Sequence, residues 1–592
     1  MVQTNPKPKE QAVIPIIPAE FDEMEGEIRK FRAGETDAAK FRSFRLKRGT
    51  YGQRQPDNQM MRVKLPYGRV TATQLEALGK IATEHAPYKR GHFTTRENIQ
   101  YHFLNLDNVP EILRTLGDAG LSTREACGNT VRNVTGCPMS GICGKEPFDV
   151  TPYTSAFVRY FVRQDFDQDM PRKFKTAFSG CLDDCAITGM HDLGFIPVIK
   201  VENGVERKGF KMVAGGGLSI MARIAPTVRE FVPVEEYLKV SEAIIRIFNQ
   251  SDELRKNKMK ARIKVLIDRI GIEKFRLMVD EELKKDWAKK DFSPEPWMFH
   301  DDHDKMIKPK PAPGTYSRAN GSVDYVKWYA SNVSPQKQEG YSAVYVTLPL
   351  GDVLAEQFNG LAKIARDFGN GIAKITPHQD MVYTWVRNEY LYDVWKALVE
   401  IGLADDGANE ITDITSCPGT ESCSLAIASS RGLAAALRET LVKMQIEDPL
   451  IREMRIKISG CPDSCGQHYI GDLGFQGASY KSESGHQVPA FEVYVGGYFK
   501  DGLRYGNRLA TKLAAKRAPE GVKAILNFYQ TNRKEGERFR DFVDRVTPQA
   551  FEDLVGKFKA IGALGPTTID LHMDWGKTVL YKVERGEGEC AV

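Results

Sequence analysis

Several features are missing from this sequence of 592 residues, and each absence argues against a class of protein. No apolar run approaches the roughly 18 residues needed to cross a bilayer, and no apolar core follows the first lysines as in a secretion signal. The basic excess, 83 residues against 78 acidic ones, is too small to indicate a nucleic-acid-binding surface. We therefore expect a cytoplasmic protein that engages neither membrane nor nucleic acid.

Motifs for organic redox cofactors are also missing. The glycine triplet 215–217 lacks the G-x-G-x-x-G spacing of a dinucleotide site and predicts a turn at a strand end. The basic run 255–264 has no interleaved aromatic residue and predicts a solvated helix face. His300 and His303 have the spacing of a metal pair, but no cysteine accompanies them. Any redox chemistry in this chain therefore needs an external electron donor.

The chain does contain ten cysteines in a regular pattern. A reducing cytoplasm disfavours structural disulfides, so their spacing points to metal ligation or catalysis. Adding 280 to each number of one quartet gives the other, and only Cys127 and Cys590 fall outside. We expect Cys127 to be buried and inert. The first quartet is Cys137, Cys143, Cys181 and Cys185, and the second quartet is Cys417, Cys423, Cys461 and Cys465.

Longer matches at nearly the same offset show that the chain is a tandem duplication. FSGCLDDCAITGMHDLGF at 178 aligns with ISGCPDSCGQHYIGDLGF at 458, and KLPYGRVTATQLEALGKIA at 64 aligns with TLPLGDVLAEQFNGLAKIA at 347. In each half a strand-helix-strand-helix unit precedes a longer cysteine-bearing unit, which predicts an α+β fold. The predicted segments are an arm with one amphipathic helix (1–55), units at 56–125 and 126–307, a linker (308–335), and units at 336–408 and 409–592.

Four cysteines in two close pairs suit a tetrathiolate site for zinc or for an iron–sulfur cluster. The five-residue gap inside the first pair of each quartet favours the bulkier cluster, although spacing alone does not decide. Buried cysteines without a metal would explain one lone pair, but two complete quartets at one offset make that reading improbable.

Four segments carry a family resemblance: TVRNVTGCPMSGIC, PRKFKTAFSGC, TSCPGTESCSLAIA and ISGCPDSCG. From about Arg45 to Ala560 the chain resembles the assimilatory sulfite and nitrite reductases that contain sirohaem and a [4Fe-4S] cluster. The resemblance implies an internally duplicated pseudo-dimer of two ferredoxin-like units and two sirohaem- and cluster-binding units. It also implies that the second quartet binds the cluster and that Cys465 bridges to the sirohaem iron.

The same resemblance assigns roles to cations of the first half. Arg96 and Gln100 match residues that hold the carboxylates of the macrocycle. Residues expected to act on the substrate anion are Arg62, Arg132, Lys173 and Lys175. An alternating strand would project both of these lysines from one face.

The duplication provides an internal control, because aligning the halves gives each residue a twin. Four of the five cations have no cationic twin. This one-sided loss predicts an anion-binding pocket in one half only. The pairs are Arg62 with Tyr345, Arg96 with His378, Arg132 with Thr412, Lys173 with Glu453, and Lys175 with Arg455.

Some alternatives remain open in the sequence. The first quartet departs from many single-chain assimilatory relatives and could hold a second [4Fe-4S] cluster or no metal. Lys175 favours sulfite, because nitrite-reducing relatives tend to carry Asn there, and nitrite is the second candidate. The electron donor is a ferredoxin or a separate flavoprotein. A more distant alternative is a zinc-stapled nucleic-acid-binding protein whose lysines contact phosphates.

Overall fold

The structure is a computed structural model that describes residues 12–300, 317, 321–586, 588 and 589. Its described strands form four five-stranded sheets, two in each half of the chain, and helices cover them. The predicted α+β duplication is therefore confirmed. In the described residues no helix combines the length and the apolar character that a membrane crossing requires.

The first unit of each half has the predicted strand-helix-strand-helix order. In the first half it contains β1 (Thr50–Gly52), β2 (Asn58–Val63), β3 (Arg69–Thr71), α3 (Ala72–Glu84), β4 (Arg90–Phe93), β5 (Ile99–Asn105) and α4 (Val109–Asp118). In the second half it contains α10 (Val323–Asn332), β11 (Val333–Pro335), β12 (Tyr341–Val346), β13 (Asp352–Leu354), α11 (Ala355–Phe368), β14 (Ile372–Ile375), β15 (Met381–Arg387) and α12 (Leu391–Glu400).

The two ferredoxin-like units exchange a strand. β13 of the second half pairs with β4, and β3 of the first half pairs with β14, both antiparallel. Helices α3 and α11 meet across this junction at Gly79, where a Cβ would lie 2.6 Å from the Cβ of Phe358. One hydrophobic core consequently spans both units. The pseudo-dimer is thus held together by backbone pairing as well as by apolar contact.

The second unit of each half carries a cysteine quartet. Its first two strands are parallel, β6 with β7 and β16 with β17, so that their carboxyl ends lie at one edge of the sheet. The first-half unit contains β6 (Val131–Gly136), α5 (Thr151–Phe161), β7 (Phe174–Phe178), β8 (Leu193–Glu202), β9 (Val205–Ala214), β10 (Thr227–Pro233), α6 (Tyr237–Asn249), α7 (Asp252–Arg255), α8 (Ile263–Ile270) and α9 (Ile272–Glu282). Its counterpart contains β16 (Thr415–Ser416), α13 (Ser430–Met444), α14 (Pro449–Arg452), β17 (Ile456–Ser459), β18 (Leu473–Lys481), β19 (Gln487–Val495), β20 (Asn507–Ala514), α15 (Ala518–Asn532) and α16 (Phe539–Val555).

Each cysteine loop is covered by the opposite half. The Gln55 amide donates to the carbonyl of Glu421 at 3.0 Å, inside the second-quartet loop. The Gln338 amide donates to the carbonyl of Gly141 at 3.0 Å, inside the first-quartet loop. These two contacts are twins, and they show that the pseudo-twofold relation extends to the loops that carry the thiols.

Some expectations from the sequence are corrected. The arm was expected to hold one helix, but it forms α1 (Ala19–Arg32) and α2 (Ala38–Lys47), because Asp37 caps a second helix with its side chain. The basic run is divided between short helices, and its Arg262 and Lys264 are turned inward, so a solvated face is wrong for them. The glycine triplet does follow β9, as predicted. His303, Cys590 and the linker residues 308–316 and 318–320 lie outside the described residues. The end of the predicted linker (308–335) is not a linker, because residues 323–335 form α10 and β11 of the second ferredoxin-like unit.

A cationic pocket beside the second cysteine quartet

The second quartet lies in two loops at the carboxyl edge of its sheet. Cys417 follows β16 directly, and Gly460 separates Cys461 from the end of β17. The sulfur of Cys417 accepts a hydrogen bond from the Gly460 N–H at 3.1 Å and contacts the Ser430 hydroxyl at 3.3 Å. The N–H of Gly460 thus supports the sulfur of Cys417 as it would support a metal ligand.

Cys465 faces a space enclosed by protein. Its side chain has accessible surface. Burial nevertheless raises the pKa of its thiol to about 11, while Lys175 and Lys173 act in the opposite direction. The charges of two first-half lysines therefore act on this thiol of the second half, and their convergence on it in one pocket stays a prediction.

Lys175 stands at the centre of a group of cations. Burial lowers its pKa well below that of an ordinary lysine, and the charges of Lys173 and Arg262 lower it further. The charge of Arg96 acts in the same direction. A lysine with a lowered pKa releases its proton more readily than an ordinary lysine. An anion that binds beside it favours the charged form of the side chain.

Arg62 and Arg132 are fixed by one turn that follows the first ferredoxin-like unit. Both donate to the carbonyl of Ala126 at 3.1 Å. Arg62 also donates to the sulfur of Cys127 at 3.3 Å. Gln100, with its amide oriented to satisfy its neighbours, accepts from two nitrogens of Arg62 at 2.6 and 2.9 Å. Cys127 is buried as predicted, but it is not inert, because its sulfur accepts a hydrogen bond from Arg62.

Arg96 spans the first two strands of the first cysteine-bearing sheet. Its guanidinium donates to the carbonyl of Asn133, to the hydroxyl of Thr135 at 3.2 Å and to the carbonyl of Thr176 at 3.3 Å. Burial lowers its pKa to about 10. These contacts fix the position of Arg96 at the back of the pocket, and its contact with macrocycle carboxylates stays a prediction.

Sequence reasoning missed an ion pair that supports Lys175. Asp192 accepts from the Lys175 N–H at 2.7 Å and from Nε of Arg262 at 2.9 Å. Asp192 belongs to the Asp-Leu-Gly-Phe motif present in both halves, so the repeat could have marked Asp192 as a structurally important residue. Arg262 had no such signal, because it lies about 90 residues from Lys175 in the basic run and only folding brings the two together.

The loop 94–97 joins this pocket to both quartets. The Thr95 hydroxyl donates to the carbonyl of Cys465 at 2.8 Å. Two residues later, the Glu97 carboxyl accepts from the Gly136 N–H at 2.9 Å, next to Cys137. Glu97 has a φ of 54°, a costly conformation for a non-glycine residue that these contacts hold in place.

The second half contains a twin cavity of about 420 Å³. Only Arg455 keeps a cation at a twin position, and it is bound to Asn409 at 2.6 Å and to Asp413 at 3.3 Å. Among the other cations of its lining, Lys145 faces Asp183 at 2.6 Å and Arg538 faces Glu453 at 3.7 Å, and Lys500 lines the cavity as well. Residues that occupy twin positions of the cationic pocket and line this cavity are Cys185, Tyr345, His378, Glu453 and Arg455.

The first quartet is arranged like the second, with closer thiols. Hydrogen bonds with the Cys137 and Cys181 thiols raise the pKa of Cys185. The same contact lowers the pKa of Cys181 to about 7. No three cysteine sulfurs in the described part of the chain lie within 4.8 Å of one another. Tetrahedral zinc with bonds of about 2.3 Å would bring four sulfurs to about 3.8 Å. The second quartet is set wider than that, whereas in the first quartet the Cys185 thiol already contacts two others.

The second quartet, set wider than a zinc site and next to cations of the first half, has the donor set of a redox centre. None of its four thiols belongs to a disulfide, so the set fits an iron–sulfur cluster.

Comparison with known proteins agrees with this class. Residues 127–287 and 407–560 match the family model "Nitrite and sulphite reductase 4Fe-4S domain", and residues 51–119 and 334–401 match "Nitrite/Sulfite reductase ferredoxin-like half domain". The chain belongs to the nitrite and sulphite reductase family, whose cofactors are sirohaem and a [4Fe-4S] cluster.

Individual relatives cover most of the chain. The sulfite reductase [ferredoxin] of Mycobacterium tuberculosis is 31% identical over 491 residues, which are 82% of each chain. The ferredoxin–nitrite reductase of Synechococcus elongatus is 27% identical over 80% of this chain and 86% of its own. Among solved structures, the NirA protein of M. tuberculosis matches with a TM-score of 0.75 and 28% identity, covering 90% of this chain and 95% of that one.

Proposed function

We propose that the chain is a sulfite reductase that converts sulfite to sulfide with six electrons from an external donor. The contact of the first-half loop 94–97 with Cys465 carries the proposal. The Thr95 hydroxyl donates to the carbonyl of Cys465 at 2.8 Å, and Arg96 donates to the carbonyl of Thr176, next to Lys175, at 3.3 Å. A relative of the same length and family is a ferredoxin-dependent sulfite reductase, which supports reduced ferredoxin as the donor.

The second quartet would hold the [4Fe-4S] cluster through Cys417, Cys423, Cys461 and Cys465, with Cys465 shared with the sirohaem. When bound, this pair of cofactors supplies a metal to ligate the anion and the electrons to reduce it. The protein contributes the anion site and the protons.

The cationic pocket suits a doubly charged oxyanion. Arg62 and Arg132 present planar donors that are fixed by backbone carbonyls, so little freedom is lost when they bind an anion. Lys175 lies among other cations and, by its lowered pKa, is a readier proton donor than an ordinary lysine. Bisulfite needs six protons to leave as hydrosulfide and three waters, so these donors must be reloaded from solvent during turnover.

Lys175→Asn tests the choice of sulfite. Asn keeps a donor of moderate size and removes the charge. Sulfite carries more charge than nitrite and loses more when an ammonium group is removed. A charged hydrogen bond in such a site contributes about 1.5–3 kcal/mol, or about 10- to 150-fold in rate. We expect sulfite activity to fall at least about tenfold more than nitrite activity, measured with one reduced viologen donor.

Lys200→Asn is the matched control, because Lys200 is an exposed lysine on strand β8 and its ion pair with Glu202 is at the surface. It should leave the ratio of the two activities unchanged. Equal losses for both substrates in Lys175→Asn would mean that Lys175 serves the cofactor or the fold, and nitrite would then stand level with sulfite.

A further inference from the structure

The first quartet sits in the same backbone frame as the second. The Cys137 N–H donates to the carbonyl of Phe178 at 3.0 Å, and the Cys417 N–H donates to the carbonyl of Ile458 at 3.2 Å. In both halves these bonds join the ends of two parallel strands, so the first thiol of each pair emerges at the same place. The frame therefore presents four thiols to one space in each half.

The turn after the second cysteine pair is also the same, at an energetic cost. Asp184 and Ser464 have φ values of 51° and 57°, and Ile187 and Gln467 have φ values of 53° and 63°. Positive φ is a genuine outlier for a β-branched residue such as Ile187. A turn without a function would be expected to relax once its ligand was lost. Its persistence in the first half points to a group that still needs this loop shape.

The surroundings of the first quartet suit a negatively charged cluster. The Cys143 sulfur accepts from the Lys145 N–H at 3.5 Å. The Lys374 ammonium donates to the carbonyl of Ser140 at 2.9 Å, inside the same loop. The Lys145 ammonium is already paired with Asp183 at 2.6 Å, so Lys374 is the lysine here whose charge offsets that of a thiolate-bound cluster. Cys185 opens onto the twin cavity, as Cys465 opens onto the cationic pocket.

From this frame and from the contacts of Lys145 and Lys374 with its loop, we infer that the first quartet binds a second [4Fe-4S] cluster. The ligands are Cys137, Cys143, Cys181 and Cys185. This cluster does not reduce the substrate anion, because the adjoining cavity has Tyr345 and Glu453 where the cationic pocket has Arg62 and Lys173. The inference does not depend on which anion the enzyme reduces.

Iron and acid-labile sulfide in anaerobically purified protein test the inference directly. One sirohaem and two clusters give about nine iron atoms and about eight sulfides per chain, whereas one cluster gives about five and about four. A count near nine supports the second cluster. A count near five, or one zinc per chain with five iron atoms, overturns it and leaves the proposed function standing if the sulfite preference persists.

Paired variants assign the extra iron to its ligands. Cys137→Ser combined with Cys181→Ser should lower the count from about nine to about five while the sirohaem absorption remains. Cys590→Ser, outside both quartets in the sequence, should keep all nine. An unchanged count in the double variant would overturn the assignment. If the double variant does not fold, the count in the unaltered protein decides alone.

Discussion

The cationic pocket and the twin cavity share a backbone and differ in their charges. In both, the aspartate of the Asp-Leu-Gly-Phe motif accepts a hydrogen bond from the backbone N–H at the twin position. Asp192 accepts from the Lys175 N–H at 2.7 Å, and Asp472 accepts from the Arg455 N–H at 2.8 Å. Asp192 also binds Arg262. The two halves thus share the frame and differ in the side chains at twin positions. Under the proposed function, these side chains make the cationic pocket an anion site and leave the twin cavity without one.

Exchanging one pair of twins should give the largest effect. Lys173→Glu introduces the residue found at the twin position, Glu453. The new carboxylate would lie next to Lys175, where it repels the substrate anion and neutralises the Lys175 ammonium group. Removal of a charged donor alone costs up to about 150-fold, so we expect sulfite turnover to fall further than that.

The reverse exchange, Glu453→Lys, is its matched control. Glu453 lines the twin cavity and lies 3.7 Å from Arg538 in an exposed pair of small energetic weight. Turnover should stay within about twofold of the unaltered enzyme. A comparable loss of turnover in both variants would contradict the claim that only the cationic pocket serves the reaction.

A second contrast concerns the ion pairs that anchor the second quartet. Asp352 contacts Arg431, His92 at 3.0 Å and Arg90 at 3.3 Å, whereas its twin, Arg69, lies over the ring of Phe299. Removing one partner of a buried pair costs about 3–5 kcal/mol. Asp352→Asn should therefore lower the urea midpoint of unfolding at neutral pH.

The pH dependence of this effect has a defined sign. Burial alone would raise the pKa of Asp352, but His92 and Arg431 outweigh it and hold the pKa well below its usual range. Its contribution is complete above the ordinary pKa of about 3.8 and is lost as the pH falls below that value. Asp405→Asn breaks an exposed pair with Arg438 and should cost less than about 1 kcal/mol. Equal midpoints for the two variants would contradict this role of Asp352.

The smallest expected effect is a shift in the pH profile of turnover. Because the pKa of Lys175 is well below that of an ordinary lysine, sulfite activity should decline on the alkaline side earlier than such a lysine would allow. Lys175→Arg keeps its charge, so the decline should move upward by about one pH unit or more, whatever its effect on the maximum rate. Lys200→Arg should leave the profile as it is. An unmoved decline in Lys175→Arg would assign the titration to another group.

The sequence anticipated what repetition and spacing record. The offset of 280 predicted the duplicated fold, which the four sheets confirm. The placement of Lys173 and Lys175 in one pocket stays a prediction, and Lys173 precedes strand β7, which begins at Phe174. Arg262 and the loop contact of Thr95 with Cys465 were missed, because they join residues about 70 to 370 positions apart from their partners and carry no local signal. The strand exchange between β3 and β13 was missed for the same reason, since short strands at a junction have no periodicity of their own.

The central claim is that one pocket, built from first-half cations and Cys465 of the second half, binds the substrate. A crystal structure of the purified holoenzyme with sulfite tests this most directly. Our account predicts sirohaem on the Cys465 side, with the anion in contact with Arg62, Arg132, Lys173 and Lys175. An anion bound on the Cys185 side, between Tyr345 and Glu453, would contradict it.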